Sequence, residues 1–149
     1  TLSQVRPEFH IQIGEHIENF EEMEPVIRTI LVLIKQDNPH IRSACFHCLG
    51  QFAIDNKPDF QNMFATQVVE AVFIGLNDKV AESLSQCQRV KGYACSCLTN
   101  LFQETPFELL APFAPLISST LLDIINSNSL FVAKTALSTL SSLWLVKQS

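Results

Sequence analysis

The densest chemistry in this 149-residue chain lies in two short runs, Cys45-Phe46-His47-Cys48 and Cys95-Ser96-Cys97. Thiolates and an imidazole at such spacing suggest zinc, which needs about four ligands converging within roughly 2.0–2.3 Å. On a helix, however, successive residues turn by about 100°. Cys45 and Cys48 then share one face with the apolar residues around them, and His47 points the other way. Cys97 takes the place of Cys48 in the second run, again on the apolar face. A Cys–His nucleophile pair fails the same test, because thiol, base and orienting group must meet in one pocket. The four glycines are isolated, so there is no phosphate-cradling loop. The spacing therefore predicts packed cysteines, no metal, no cofactor and no enzyme.

The element that places these cysteines is written three times. Ile41–Phe52 aligns with Val90–Leu101 and with Val132–Leu143. The landmarks Ile41/Val90/Val132, Cys45/Ala94/Ala136, Leu49/Leu98/Leu140 and Phe52/Leu101/Leu143 superimpose at offsets of 49 and then 42 residues. The upstream series Val26/Val68/Ile117, Ile30/Val72/Leu121 and Ile34/Leu76/Ile125 shows the same offsets in reverse order, 42 and then 49. One event explains both: a base period of 42, with seven extra residues between Leu76 and Val90 in the middle unit. Apolar residues recur every three to four positions, so each unit is a pair of helices, A then B. A repeat of this length with two helices is an α-α superhelix.

The expected boundaries are helical pairs over 22–56, 58–104 and 107–147, after a lone B helix within 1–20, about three and a half pairs in one all-α array over 1–149. The abrupt ends suggest a piece of a longer array. Asn38 is placed to cap the first B helix with Pro39 in its first turn, and Ser129 is its counterpart in the third unit. Pro112 and Pro115 should break the start of the third A helix.

Positions 41, 45, 48, 49 and 52 form the predicted core face of the first B helix. The opposite row reads Ser43, His47, Gly50 and Ile54, with His40 and Gln51 at its margin. In the second unit it reads Gly92, Ser96, Thr99 and Gln103, with Arg89 and Asn100, and in the third Lys134, Ser138, Ser141 and Leu145, with Phe131 and Ser142. In an αα-solenoid the B helices line the concave side. A small, polar row there lets a bound chain approach, and an amide offers both donor and acceptor to its backbone. The same row is also what an ordinary solvated helix face looks like.

Net charge is −5, and six acids against Arg6 in residues 1–24 supply all of it. That balance disfavours direct nucleic-acid binding, which needs phosphate-neutralising basic patches. It suits basic protein partners, or simply a solvated acidic loop. No apolar run is long enough to span a membrane. An odd number of cysteines in helical positions suits a reducing, intracellular setting.

Leu33-Ile34-Lys35-Gln36-Asp37-Asn38-Pro39-His40-Ile41-Arg42, continuing to Leu49-Gly50-Gln51-Phe52, resembles the HEAT-repeat pattern of turn Asp, Pro, Val/Ile-Arg and Leu-Gly. More narrowly it is similar to the importin-β (karyopherin-β) family, in its importin-five branch. Ala53-Ile54-Asp55-Asn56-Lys57-Pro58-Asp59-Phe60-Gln61 and Cys97-Leu98-Thr99-Asn100-Leu101-Phe102-Gln103-Glu104-Thr105-Pro106 carry that narrower likeness, which covers about residues 11–145. The second unit departs from the pattern, with Gln86 for the turn Asp and Lys91 for the Arg, and the third has Ala133. Asn100 also resembles an armadillo-repeat position, but Ser96 stands where that repeat has Trp, so an armadillo-type clamp is not expected. The resemblance implies a monomeric nuclear transport receptor shuttling between cytoplasm and nucleus. It would carry cargo bearing basic localisation signals, meet nucleoporins, and release cargo on binding Ran GTPase in its GTP form. Gln51, Asn100, Ser142, His47 and Ser96 become candidate cargo-binding residues by position. The alternative is a HEAT scaffold organising a multiprotein complex unrelated to nuclear transport.

Overall fold

A computed structural model describes residues 20–77, 84–127 and 130–148. They form helices α1 (Phe20–Leu33), α2 (Pro39–Asp55), α3 (Asp59–Leu76), α4 (Leu84–Phe102), α5 (Phe107–Leu110), α6 (Ala114–Ser127) and α7 (Leu130–Gln148). No strand occurs among the described residues. The A helices are α1, α3 and α6, and the B helices are α2, α4 and α7. Each B helix packs on its own A partner, and α4 lies between α2 and α7. The expected lone helix in residues 1–19, most of the insertion (78–83) and the Ser129 cap fall outside the described residues.

Local chemistry accounts for the helix ends. The side-chain oxygen of Asn38 accepts from the backbone N–H of His40 at 2.9 Å and of Ile41 at 3.4 Å, and Pro39 fills the next position. These bonds satisfy donors that a helix start leaves open. The guanidinium of Arg42, only 3% exposed, donates to the carbonyl of Gln36 at 2.8 Å. It thereby ties the A–B turn to the B helix. The next turn is closed from inside: Asn56 donates to the Phe52 carbonyl at 3.2 Å, and the fully buried Gln61 donates to that of Ala53 at 2.8 Å. In the third unit the prolines split the A helix as expected. α5 stops at Leu110, a turn holds Pro112, and α6 restarts with Pro115 in its first turn, where no N–H is needed.

The core runs continuously through the stack. Ile30, Val72 and Leu121 from the A helices and Leu49, Leu98 and Val132 from the B helices are all 0–1% exposed. The expected core face needs three corrections, and neighbours beyond the A partner, present or missing, account for the first two. Phe46 and Ala53 are fully buried although they lie off the expected stripe. Phe46 reaches α3, where a Cβ on Gly75 would stand 2.5 Å from its ring and 2.9 Å from the Cβ of Ala94 in α4. Ile41 is 37% exposed, whereas its counterparts Val90 and Val132 are 0%. Val90 shares a stripe with Cys97, which lies against Gly50 of α2, and among the described residues no B helix precedes α2. Leu140 is only half-buried, unlike Leu49 and Leu98.

The same comparison marks one face of α7. Leu137 and Trp144 are 53% and 54% exposed, while their equivalents Phe46/Cys95 and Ala53/Phe102 are at most 2% exposed. In α2 and α4 those positions are covered by the following unit.

Gly75→Ala should destabilise the protein by about 1–3 kcal/mol, the usual range for overpacking, despite the roughly 1 kcal/mol that Ala gains in helix propensity. A raised chemical-denaturation midpoint would contradict the close approach. Leu49→Ala and Leu98→Ala should each cost about 2–5 kcal/mol. Leu140→Ala should cost clearly less, in keeping with its partial exposure.

Candidate functional site: a polar strip along the B helices

The B helices share one solvent-facing strip. On α2 it is His40, Ala44, His47, Gln51 and Ile54; on α4, Arg89, Tyr93, Ser96, Asn100 and Gln103; on α7, Phe131, Thr135, Ser138, Ser142 and Leu145. These are equivalent positions at the offsets of 49 and 42 residues. On α2 and α4 the strip is rotated from the expected row, whereas on α7 the expected Lys134, Ser138, Ser141 and Leu145 are all exposed. His40 and Gln51, expected at the margin, lie on its centre line, whereas Ser43 is 6% exposed and Gly50 is buried. Gly92 is likewise buried and Thr99 half-buried.

The displaced residues build the contacts between B helices. A Cβ on Gly50 would stand 3.3 Å from the Cα of Cys97 and 3.2 Å from the side-chain nitrogen of Asn100. Asn100 Nδ2 donates to the Gly50 carbonyl at 3.3 Å. One unit along, the equivalent approach is polar. Thr99 and Thr139 share a hydroxyl–hydroxyl bond of 2.9 Å, and Thr139 also lies 3.1 Å from the Cys95 carbonyl and 3.0 Å from that of Thr135.

All five candidate residues lie on the strip, each with its own engagement. Gln51 donates to the Asp55 carboxylate, one turn on, at 3.2 Å. Ser142 donates to the Ser138 carbonyl at 3.1 Å. His47 meets the ring of Tyr93 edge-on at 5.4 Å. Ser96 is exposed, and Asn100 is half-buried through its bond to α2. Sequence reasoning missed Ala44, Tyr93 and Thr135 as strip residues. A 4-3-4-3 spacing counted from His40, and from its equivalents Arg89 and Phe131, finds them.

Two hollows flank this line between α4 and α7. The upper, about 440 Å³, is lined by Arg89, Gly92, Tyr93, Ser96, Phe131 and Thr135 among others. The lower, about 420 Å³, includes Thr99, Gln103, Glu104, Ser142 and Leu145.

The cysteines behave as buried packing. Cys45, Cys48, Cys95 and Cys97 are buried and Cys87 half-buried, and none of the five is in a disulfide. Burial pushes the thiol of Cys45 up from 9.0 to about 11. It pushes those of Cys95 and Cys97 up to about 12, a hydrogen bond with Thr139 and the charge of Lys91 partly offsetting it at Cys95. Zinc requires thiolates, so this environment opposes it. Among the described residues no group of three or more His, Cys, Asp or Glu side chains is placed to hold a metal ion.

No protein-family model matches the sequence. Importin subunit beta-3 of Saccharomyces cerevisiae is 25% identical over 121 residues, covering 80% of this chain. The crystal structure of the karyopherin Kap121p bound to the SUMO protease Ulp1p superimposes with a TM-score of 0.74 at 24% identity, covering 83% of this chain. The sequence likeness is to importin subunit beta-3, and the structural likeness shows the fold of a karyopherin HEAT-repeat solenoid. The chain spans 10% of the curated relative and 11% of the solved one. The α-solenoid expected from the offsets is the fold observed.

Two measurements check this HEAT-repeat segment. Asn100→Ala should lower its stability by about 1 kcal/mol, the usual net value of one hydrogen bond, because the side chain ties α4 to α2. Unchanged thermal and chemical midpoints would place Asn100 outside the interface. The raised thiols also set a pH dependence. Below about pH 9 both states hold their protons. Above it the unfolded thiols ionise while the buried ones do not, so stability should fall as pH rises from 9.0 toward 11–12. Replacing Cys45, Cys95 and Cys97 by Ala should flatten that alkaline decline.

Proposed function

We propose that this segment is part of a nuclear transport receptor that holds protein cargo along the strip on its B helices. The observation that carries the reading is the repetition of the strip: three rows at equivalent positions make one surface of small hydroxyls, amides and rings. An extended chain crossing α2, α4 and α7 would meet Gln51, Asn100 and Ser142 in turn, with His47 and Ser96 beside them. Amides can hold a backbone through both its N–H and C=O groups. Kinship with importin subunit beta-3 supports the class of partner, and the solved relative was bound to a SUMO protease. In the whole receptor, cargo carries basic localisation signals, for which the net charge of −5 is favourable. RanGTP then displaces cargo, nucleoporins are met in transit, and the monomeric receptor shuttles between cytoplasm and nucleus.

A pull-down of the full-length protein with Ran in each nucleotide state tests the transport part. Binding of GTP-loaded Ran with loss of bound cargo is expected; failure to bind Ran in either state would assign the array to a scaffold instead. For the strip itself, the double variant Gln51→Ala/Asn100→Ala should weaken cargo binding by about 1–3 kcal/mol. Equal affinity of wild type and variant would remove these amides from the site.

A further inference from the structure

The upper hollow between α4 and α7 differs in character from the rest of the strip. Its walls are aromatic. Phe131 is 71% exposed, and its ring edge stands 3.6 Å from where a Cβ on Gly92 would lie. Gly92 is itself buried there, and the Phe131 ring lies over it at ordinary contact distance. Tyr93 is oriented by the edge-on contact of His47 at 5.4 Å and 84°. A large ring left this exposed loses the burial that normally stabilises it, unless another group covers it.

Its charge is one-sided. Arg89 is exposed and makes no hydrogen bond or ion pair with a described residue. Among the described residues no carboxylate lines the hollow. The adjoining hollow of about 240 Å³ between α2 and α4 is lined by Pro39, His40, Ser43, Ser85, Gln86 and Arg89, again with no carboxylate among the described residues. Arg89 therefore stands between two hollows whose described walls carry no negative charge.

We propose that this groove docks an extended protein segment with an aromatic side chain next to a carboxylate. The aromatic ring inserts between Tyr93 and Phe131, and the carboxylate pairs with the Arg89 guanidinium in a two-bond fork. The segment's backbone runs along the exposed strip from Arg89 past Tyr93 and over Ser96 toward Asn100. The inference rests on the strip being a partner-binding surface, and it gives this part of the strip a polarity opposite to that of a basic signal. A partner that uses the whole strip therefore offers an acidic-aromatic element here and its basic residues elsewhere.

The test uses the 149-residue chain and short fluorescein-labelled peptides, identical except for a central Asp-Phe, Lys-Phe or Asp-Ala, read by fluorescence anisotropy. Asp-Phe should bind about tenfold more tightly than either alternative, equivalent to roughly 1.4 kcal/mol. Arg89→Glu should reverse the charge preference, and Phe131→Ala should remove the advantage of Phe over Ala. Both variants should melt at the wild-type temperature, since neither side chain is buried. Equal or tighter binding of Lys-Phe overturns the inference, as does absence of binding by all three peptides. If a purely basic peptide binds, and Gln51→Ala/Asn100→Ala weakens it while Arg89→Glu does not, this inference falls and the transport reading stands.

Discussion

The stack depends on how closely three helices meet at Gly75. The ring of Phe46 from α2 and the methyl of Ala94 from α4 occupy the space that any side chain on α3 would need. Gly75 is the second-last residue of α3, where glycine costs a helix less than it would in the interior. Here the loss is offset by contact: α3 seats against both B helices at once, and Phe46 becomes fully buried. With α3 seated there, the packing of α4 on α2 follows, and so does the alignment of their exposed strips.

Spacing between the B helices is then set by the smallest residues available. Gly50 meets the backbone of Cys97, and Asn100 reaches back across the gap to the Gly50 carbonyl. At the next boundary two threonines fill the equivalent place and bond to each other. A surface that binds a chain across several helices needs those helices at a fixed pitch. The residues that set the pitch lie just beneath the residues a chain would touch. For Asn100 these are one residue, so its structural and binding roles must be separated by measurement.

The repeat was legible in the sequence because a buried stripe at helical spacing leaves a periodic signal that survives a seven-residue insertion. The Asn38 cap and the proline break before α6 were legible for a similar reason, since both are local events decided within a few residues. What could not be read was the second partner of each B helix. Phe46 and Ala53 lie off the main stripe, and only the stacking of α4 and α3 against α2 explains why they are buried. Gly50 looks like a small solvent-facing residue in a one-helix view, and it proves to be the one that permits close approach. That same stacking turned the exposed row, moving Gln51 and His40 from its margin to its centre. The candidate residues fell on the strip because they had been placed by repeat equivalence as well as by the helical wheel.

The two boundaries between B helices also differ in kind. Across α2 and α4 the approach is so close that a Cβ on Gly50 would stand 3.3 Å from the Cα of Cys97. Across α4 and α7 the hydroxyl of Thr139 has the Thr99 hydroxyl and the carbonyls of Cys95 and Thr135 within 3.1 Å. A methyl at Gly50 would have to displace backbone, whereas the threonine pair already fills its gap with groups that bond to each other, and the larger hollow, about 440 Å³ against about 240 Å³, lies at the threonine boundary.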